Sequence, residues 1–194
     1  MSSETLELME RMDKVELKNQ LALQCAPLLA RIKPSNLLTL RGHSTAEVEE
    51  VFCGTDIRVQ VLCVTRRQIV LLLYREVELL AYLRQPKVAE AMTAFGYPVR
   101  NLERIFERLA VRYQRYMADR KTFPHELGLL LGYPVADVLG FVENGGQNYL
   151  YSGYWKVYEN VQAAKDTFER YTQAKERMIH MVSAGTEIRA ILAG

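Results

Sequence analysis

His125 and Glu126 stand side by side immediately after Pro124. An imidazole beside a carboxylate is what general acid–base chemistry or metal ligation uses. The pair opens a helical pattern, where the dipole disfavours imidazolium and lowers the histidine pKa while Glu126 opposes that shift. The plain alternative is a part-buried histidine acting as a cap. This is not the zinc-protease HExxH motif, because position 129 is Leu. Further on, Tyr149, Tyr151, Tyr154 and Trp155 surround Gly153, and Lys156 follows. Such a run reads either as an aromatic platform for a flat ligand, with Lys156 holding an anionic group, or as a core strand with Trp155 packed under the last helix. Lys33, ahead of Pro34, is a positioned cation or a solvated one. The ligand-contact candidates are Lys33, Tyr151, Tyr154, Trp155 and Lys156, and the catalytic candidates are His125 and Glu126. Cys25 and His125 would form a thiol–imidazole pair if the fold joined them.

The elements that position these groups begin with a cation-free stretch. After Lys121 no lysine or arginine appears until Lys156, and this interval contains the only tryptophan. A phosphate backbone is a poor match for it. Across 194 residues the formal charge is +2, with 49% hydrophobic and 25% charged residues, which are ordinary globular values. These figures give no general electrostatic reason to bind nucleic acid or an anionic membrane. The three cysteines form no CxxC pair, so neither a disulfide framework nor a metal site is expected. No apolar run approaches a membrane span and the acidic N-terminus lacks a secretory pattern, so a cytoplasmic protein is expected. No phosphate-loop, dinucleotide or EF-hand pattern is present, and no cofactor is implied.

Helical spacing runs over residues 4–24 and is expected to stop at Pro27. Residues 36–41 read as a strand, and Ser44 with Glu47 forms a capping box opening a helix that ends near Gly54. Residues 57–65 and 68–74 form a β-hairpin. Pro86 starts a helix, residues 101–120 form a long amphipathic one, and two short helices occupy 124–131 and 135–143. A fourth strand is expected at 149–158 and a final helix at 160–183. Gly96-Tyr97-Pro98-Val99 and Gly132-Tyr133-Pro134-Val135 are two copies of one helix-corner device. The whole chain, 1–194, reads as a single α+β domain, with a small, mainly antiparallel sheet of about four strands under helices and a helix-rich C-terminal two-thirds.

Several blocks together are specific. Cys25-Ala26-Pro27-Leu28-Leu29 and Lys33-Pro34-Ser35-Asn36-Leu37 begin the pattern. Phe123-Pro124-His125-Glu126-Leu127-Gly128, Leu131-Gly132-Tyr133-Pro134, Asp137-Val138-Leu139-Gly140-Phe141 and Gly153-Tyr154-Trp155-Lys156-Val157-Tyr158 complete it. Over nearly its whole length the chain resembles an uncharacterised bacterial family known only as domain of unknown function 3793. The resemblance implies a family and no activity. Some of its members carry cysteines just before the Gly-x-Trp-Lys block, where this chain has Tyr149, Leu150, Tyr151 and Ser152, so a metal or redox role does not carry over.

Residues 126–143 also resemble a DNA-binding helix-turn-helix, with Gly132 at the turn. The second helix offers Val135, Ala136, Asp137, Leu139 and Glu143, with no Arg, Lys or Gln to read a base edge. The leading expectation is a non-catalytic binding or regulatory module for a small molecule or protein partner, its site lying where 123–143 meets 149–158. An enzyme acting on a small anionic or aromatic substrate through His125 and Glu126 comes second, and a DNA-binding protein third.

Overall fold

The computed structural model describes residues 1–97 and 101–193. The chain is α+β, and its contacts divide into two compact units. Met1–Glu76 with Arg170–Gly194 forms the first and Val77–Glu169 the second.

The first unit opens with α1 (Ser3–Arg11) and α2 (Leu17–Leu29). The expected helix over 4–24 is therefore two helices. The break falls before residue 17, where the Asp13 side chain accepts a hydrogen bond from the Val15 amide at 2.8 Å and holds a turn. Pro27, expected to interrupt the helix, lies inside α2 instead. It forfeits one backbone hydrogen bond, but it sits in the last turn, where its own carbonyl accepts the amides of Ile32 and Lys33.

Three strands follow: β1 (Ser35–Leu40), β2 (Ile57–Val64) and β3 (Ile69–Arg75). They form an antiparallel sheet of order β1-β3-β2. The hairpin register shifts between Val61 and Cys63, a bulge that breaks the simple alternation and leaves Leu62 buried. Between β1 and β2 runs α3 (Thr45–Phe52), opened by the capping box of Ser44 and Glu47. Strand β1 is bordered by glutamines of α2. The Gln24 amide bonds both backbone groups of Thr39, and the Gln20 amide bonds both of Arg41, at 2.7–3.1 Å. Placed four apart on one helix face, they mimic a neighbouring strand and satisfy an edge that would otherwise invite pairing. Leu21, Leu28, Leu38, Leu71 and Leu73 form this unit's core, with Met178 and Val182 from the end of α9 (Val161–Ser183) and Ile188 from α10 (Ile188–Ala193). Helix α10 was not expected from the sequence.

Among its described residues the regular structure of the second unit is helical apart from one ribbon. It comprises α4 (Glu76–Leu83), α5 (Pro86–Ala94), with proline in the first turn as expected, and α6 (Leu102–Asp119). Next come α7 (Leu127–Leu130) and α8 (Val135–Glu143). Of the two helix-corner motifs, Gly132-Tyr133-Pro134-Val135 joins α7 to α8, whereas Pro98 and Val99 of the other lie outside the described residues. In place of a fourth strand at 149–158 there is a tight hairpin of β4 (Tyr151–Ser152) and β5 (Lys156–Val157), forming its own two-stranded sheet. The aromatic residues here satisfy themselves against neighbouring rings, so strand-like composition produces a ribbon and not a long strand.

Candidate functional site

Both regions singled out by their chemistry lie in the second unit. At the histidine corner, Pro124 is buried and α7 is a single turn. The His125 ring lies between Phe123 and Phe141, with centroids 5.5 and 5.2 Å away. Its pKa is lowered, chiefly by burial and further by Arg112, while Glu126 works against the shift. The direction matches the expectation, but loss of solvent between two phenyl rings is the main cause.

Glu126 is completely buried. Its Oε1 accepts from the Tyr97 hydroxyl at 2.5 Å and pairs with Arg112 Nη1 at 3.0 Å. Burial, reinforced by this carboxylate, raises the Tyr97 pKa well above the usual tyrosine range, so the phenol remains a donor. Glu126 Oε2 is buried with no hydrogen-bond partner among the described residues. Neither Tyr97 nor Arg112 is signalled by the sequence, since nothing in their spacing ties them to position 126.

The ribbon is fastened by an acid of α8. Asp137 projects from α8 and is 4% exposed. Its Oδ2 accepts from Trp155 Nε1 at 2.7 Å, and Oδ1 accepts from the amides of Tyr158 and Glu159 at 2.7 and 3.3 Å. One carboxylate thus satisfies an indole and two backbone donors. The available signal was an acid in the otherwise apolar pattern of α8, three residues after a proline. Trp155 also stacks on Tyr133 at 4.8 Å and meets the edge of Phe168 at 4.4 Å. Tyr154 and Tyr151 lie against the same Phe168, at 5.6 and 6.2 Å.

Two motif glycines have steric reasons. A Cβ on Gly153 would fall 2.3 Å from the Phe168 ring, so the glycine admits the close approach of that phenylalanine. A Cβ on Gly140 would fall 2.7 Å from Tyr158 and push the ribbon off α8. The face of α8 carrying Asp137 and Gly140 is thereby covered by the ribbon, on the helix that a DNA-binding reading would require to enter a groove.

What remains exposed is the outer surface of the ribbon and its approach: Tyr149 (43%), Leu150 (63%), Tyr151 (39%) and Tyr154 (42%). Two lysines flank it. Lys156 Nζ donates to Gly146 O at 2.5 Å and sits 4.6 Å from the Tyr149 ring centre, while Lys165 lies 5.0 Å from that of Tyr151. The structure therefore gathers Tyr151, Tyr154, Trp155 and Lys156 in one place, with Trp155 serving as an anchor.

Lys33 belongs to the first unit and is 7% exposed. Its ammonium lies 5.7 Å from the Tyr171 ring centre, and burial lowers its pKa to about 8 despite the opposing influence of Cys25. Cys25 is wholly buried, its sulfur 3.7 Å from the Asn36 amide, and burial pushes the thiol up to about 12. A nucleophilic pair with a histidine needs a thiolate, which this setting suppresses. Among the described residues no group of three or more His, Cys, Asp or Glu side chains is gathered for a metal ion, and no helix is long and apolar enough to cross a membrane.

Residues 21–192 match the family described as "Protein of unknown function (DUF3793)". The chain belongs to this family. Comparison with curated proteins and with solved structures yields no significant match. All six blocks singled out in the sequence lie within the matched span. In this DUF3793 protein the Gly-x-Trp-Lys block builds the ribbon, and the Asp137 block supplies the helix that holds it.

Proposed function

We propose that this DUF3793 protein is a non-catalytic binding module whose second unit presents the outer ribbon surface to a protein partner. The supporting observation is the division of labour among the aromatic residues. Trp155 is fastened by Asp137, Tyr133 and Phe168, while Tyr149, Leu150, Tyr151 and Tyr154 are left substantially exposed on the scaffold so formed. Tyrosines give large contact area at low entropic cost and are enriched at interfaces, and a cluster of exposed apolar side chains marks a contact surface.

The test is a photo-crosslinking amino acid at position 151 or 154, introduced in cells that naturally carry the protein. The reading expects one discrete adduct from both positions and none from position 77, where the native valine is 81% exposed in α4. Absence of an adduct, or an identical pattern at position 77, would refute it.

A second reading, acid–base chemistry at His125 and Glu126, is favoured by the buried Glu126 Oε2, which has no hydrogen-bond partner among the described residues, and by the lowered pKa of the neighbouring imidazole. It expects His125→Ala to abolish a turnover while the melting temperature holds. Equal loss of both would mark the corner as structural.

A further inference from the structure

The first unit contains a cleft of about 750 Å³, within the range of small-molecule sites. It is built from four stretches of chain: the end of α2, the turn from α3 into β2, Arg75 at the end of β3, and α10. Its described lining carries three guanidiniums, Arg31, Arg75 and Arg189, against one carboxylate, Asp56. Arg75 is 3% exposed, pairs with Asp56 and donates to Leu28 O at 3.3 Å. Arg31 reaches the other oxygen of Asp56 at 2.7 Å. Partial burial would raise the Asp56 pKa, but these two arginines outweigh it and hold the carboxyl low, so it remains their counter-charge. Arg189 donates to Cys53 O at 3.1 Å from an otherwise exposed position on α10. The remaining wall includes Leu29, Ile191 and Leu192.

A cleft with surplus guanidinium charge at one part and aliphatic side chains at another matches an amphiphilic anion. Guanidinium forks suit the planar, bidentate geometry of a carboxylate, and the aliphatic wall suits an uncharged body. We propose that this cleft binds a small organic carboxylate with an apolar body, its carboxylate directed to Arg189 and the Arg31–Asp56–Arg75 network and its body lying on Leu29, Ile191 and Leu192. The ribbon plays no part in this, so the two proposals stand or fall separately.

The experiment is calorimetric titration of the whole protein with octanoate, compared with 1-octanol and with inorganic phosphate. The proposal expects saturable 1:1 binding of octanoate, at least about tenfold weaker binding of octanol, which lacks the charge, and weaker binding of phosphate, which lacks the body. Arg189→Ala should weaken octanoate at least about tenfold, with Arg189→Lys between it and the native protein. Arg66→Ala, which removes the same charge from the β2–β3 turn, should change nothing. Octanol binding as tightly as octanoate, phosphate matching octanoate, or equal losses from Arg189→Ala and Arg66→Ala would each overturn the site. Should Arg189→Ala lower the melting temperature, Leu192→Glu provides the second arm. It sets a like charge in the aliphatic wall and must also abolish octanoate binding, and retained affinity would contradict the proposal.

Discussion

The aromatic ribbon and the arginine cleft are opposite cases. In the ribbon, chemically conspicuous side chains crowd between positions 149 and 158, yet the Trp155 indole and the Lys156 ammonium are already bonded to Asp137 and to Gly146. In the cleft, charged side chains arrive from positions 31, 56, 75 and 189, none conspicuous in the sequence, and surround an open volume. Density of reactive residue types along a chain is therefore a poor guide to chemical availability. Indoles, phenols and carboxylates are also good at satisfying one another, and where they cluster in sequence they do so first.

The comparison breaks most readily at Asp137. Replacing it with alanine strands an indole N–H and two backbone amides in a part-buried setting, with an expected cost of about 4 kcal/mol in urea denaturation. Trp155 emission should shift to the red even before global unfolding. A cost below about 1 kcal/mol would mean that the ribbon is not held by this carboxylate.

Lys33 gives the next largest effect, with the opposite sign. Its folded pKa of about 8 lies below the ordinary 10.5, so at pH 7 both states hold the proton and the fold bears the whole cost of burying it. Lys33→Met should therefore stabilise the protein at pH 7, by up to about 3 kcal/mol. As pH rises from 8 towards 10 the native protein sheds this proton first, the cost shrinks, and the gap between native and variant should close. Melting curves of both proteins across that range decide it.

Gly153→Ala comes third. The added methyl would fall 2.3 Å from the Phe168 ring, and overpacking of this kind costs about 2 kcal/mol, read as a lower melting temperature. His125→Phe should have a smaller effect, visible mainly in its pH dependence. Because the folded imidazole titrates below the unfolded one, native stability should fall as pH drops through about 6.5, the ordinary histidine value. The phenylalanine variant, fitting between Phe123 and Phe141, should lose that slope. Serine at Tyr151 and Tyr154 removes rings that are about two-fifths exposed and lie against Phe168, so a loss of about 1 kcal/mol at each is expected.

Much of the architecture was legible because it rests on local rules. The Ser44–Glu47 capping box, the 57–74 hairpin, the Pro86 helix start and the amphipathic 102–119 helix are each specified by residues a few positions apart. Other features, α10 among them, were not. The Asp13 turn was masked by apolar periodicity continuing across it, and Pro27 looked like a stop although the last turn of α2 accommodates it and the helix runs on to Leu29. The 149–158 segment has strand composition but pairs only Tyr151 with Val157 and Ser152 with Lys156, because its rings pack on Phe168 and Tyr133. At the site, His125, Tyr151, Tyr154 and Lys156 could be nominated by type. The partners that determine what they do (Asp137, Arg112, Tyr97 and Phe168) act across the fold and leave no mark in local spacing.

The most direct test of the central claim is an affinity series against the purified partner recovered by crosslinking. The account predicts that Tyr151→Ser with Tyr154→Ser weakens binding at least about tenfold in protein that remains folded, while His125→Ala leaves the affinity within about twofold. Unchanged affinity in the tyrosine variant, or an equal loss in the histidine variant, would contradict it.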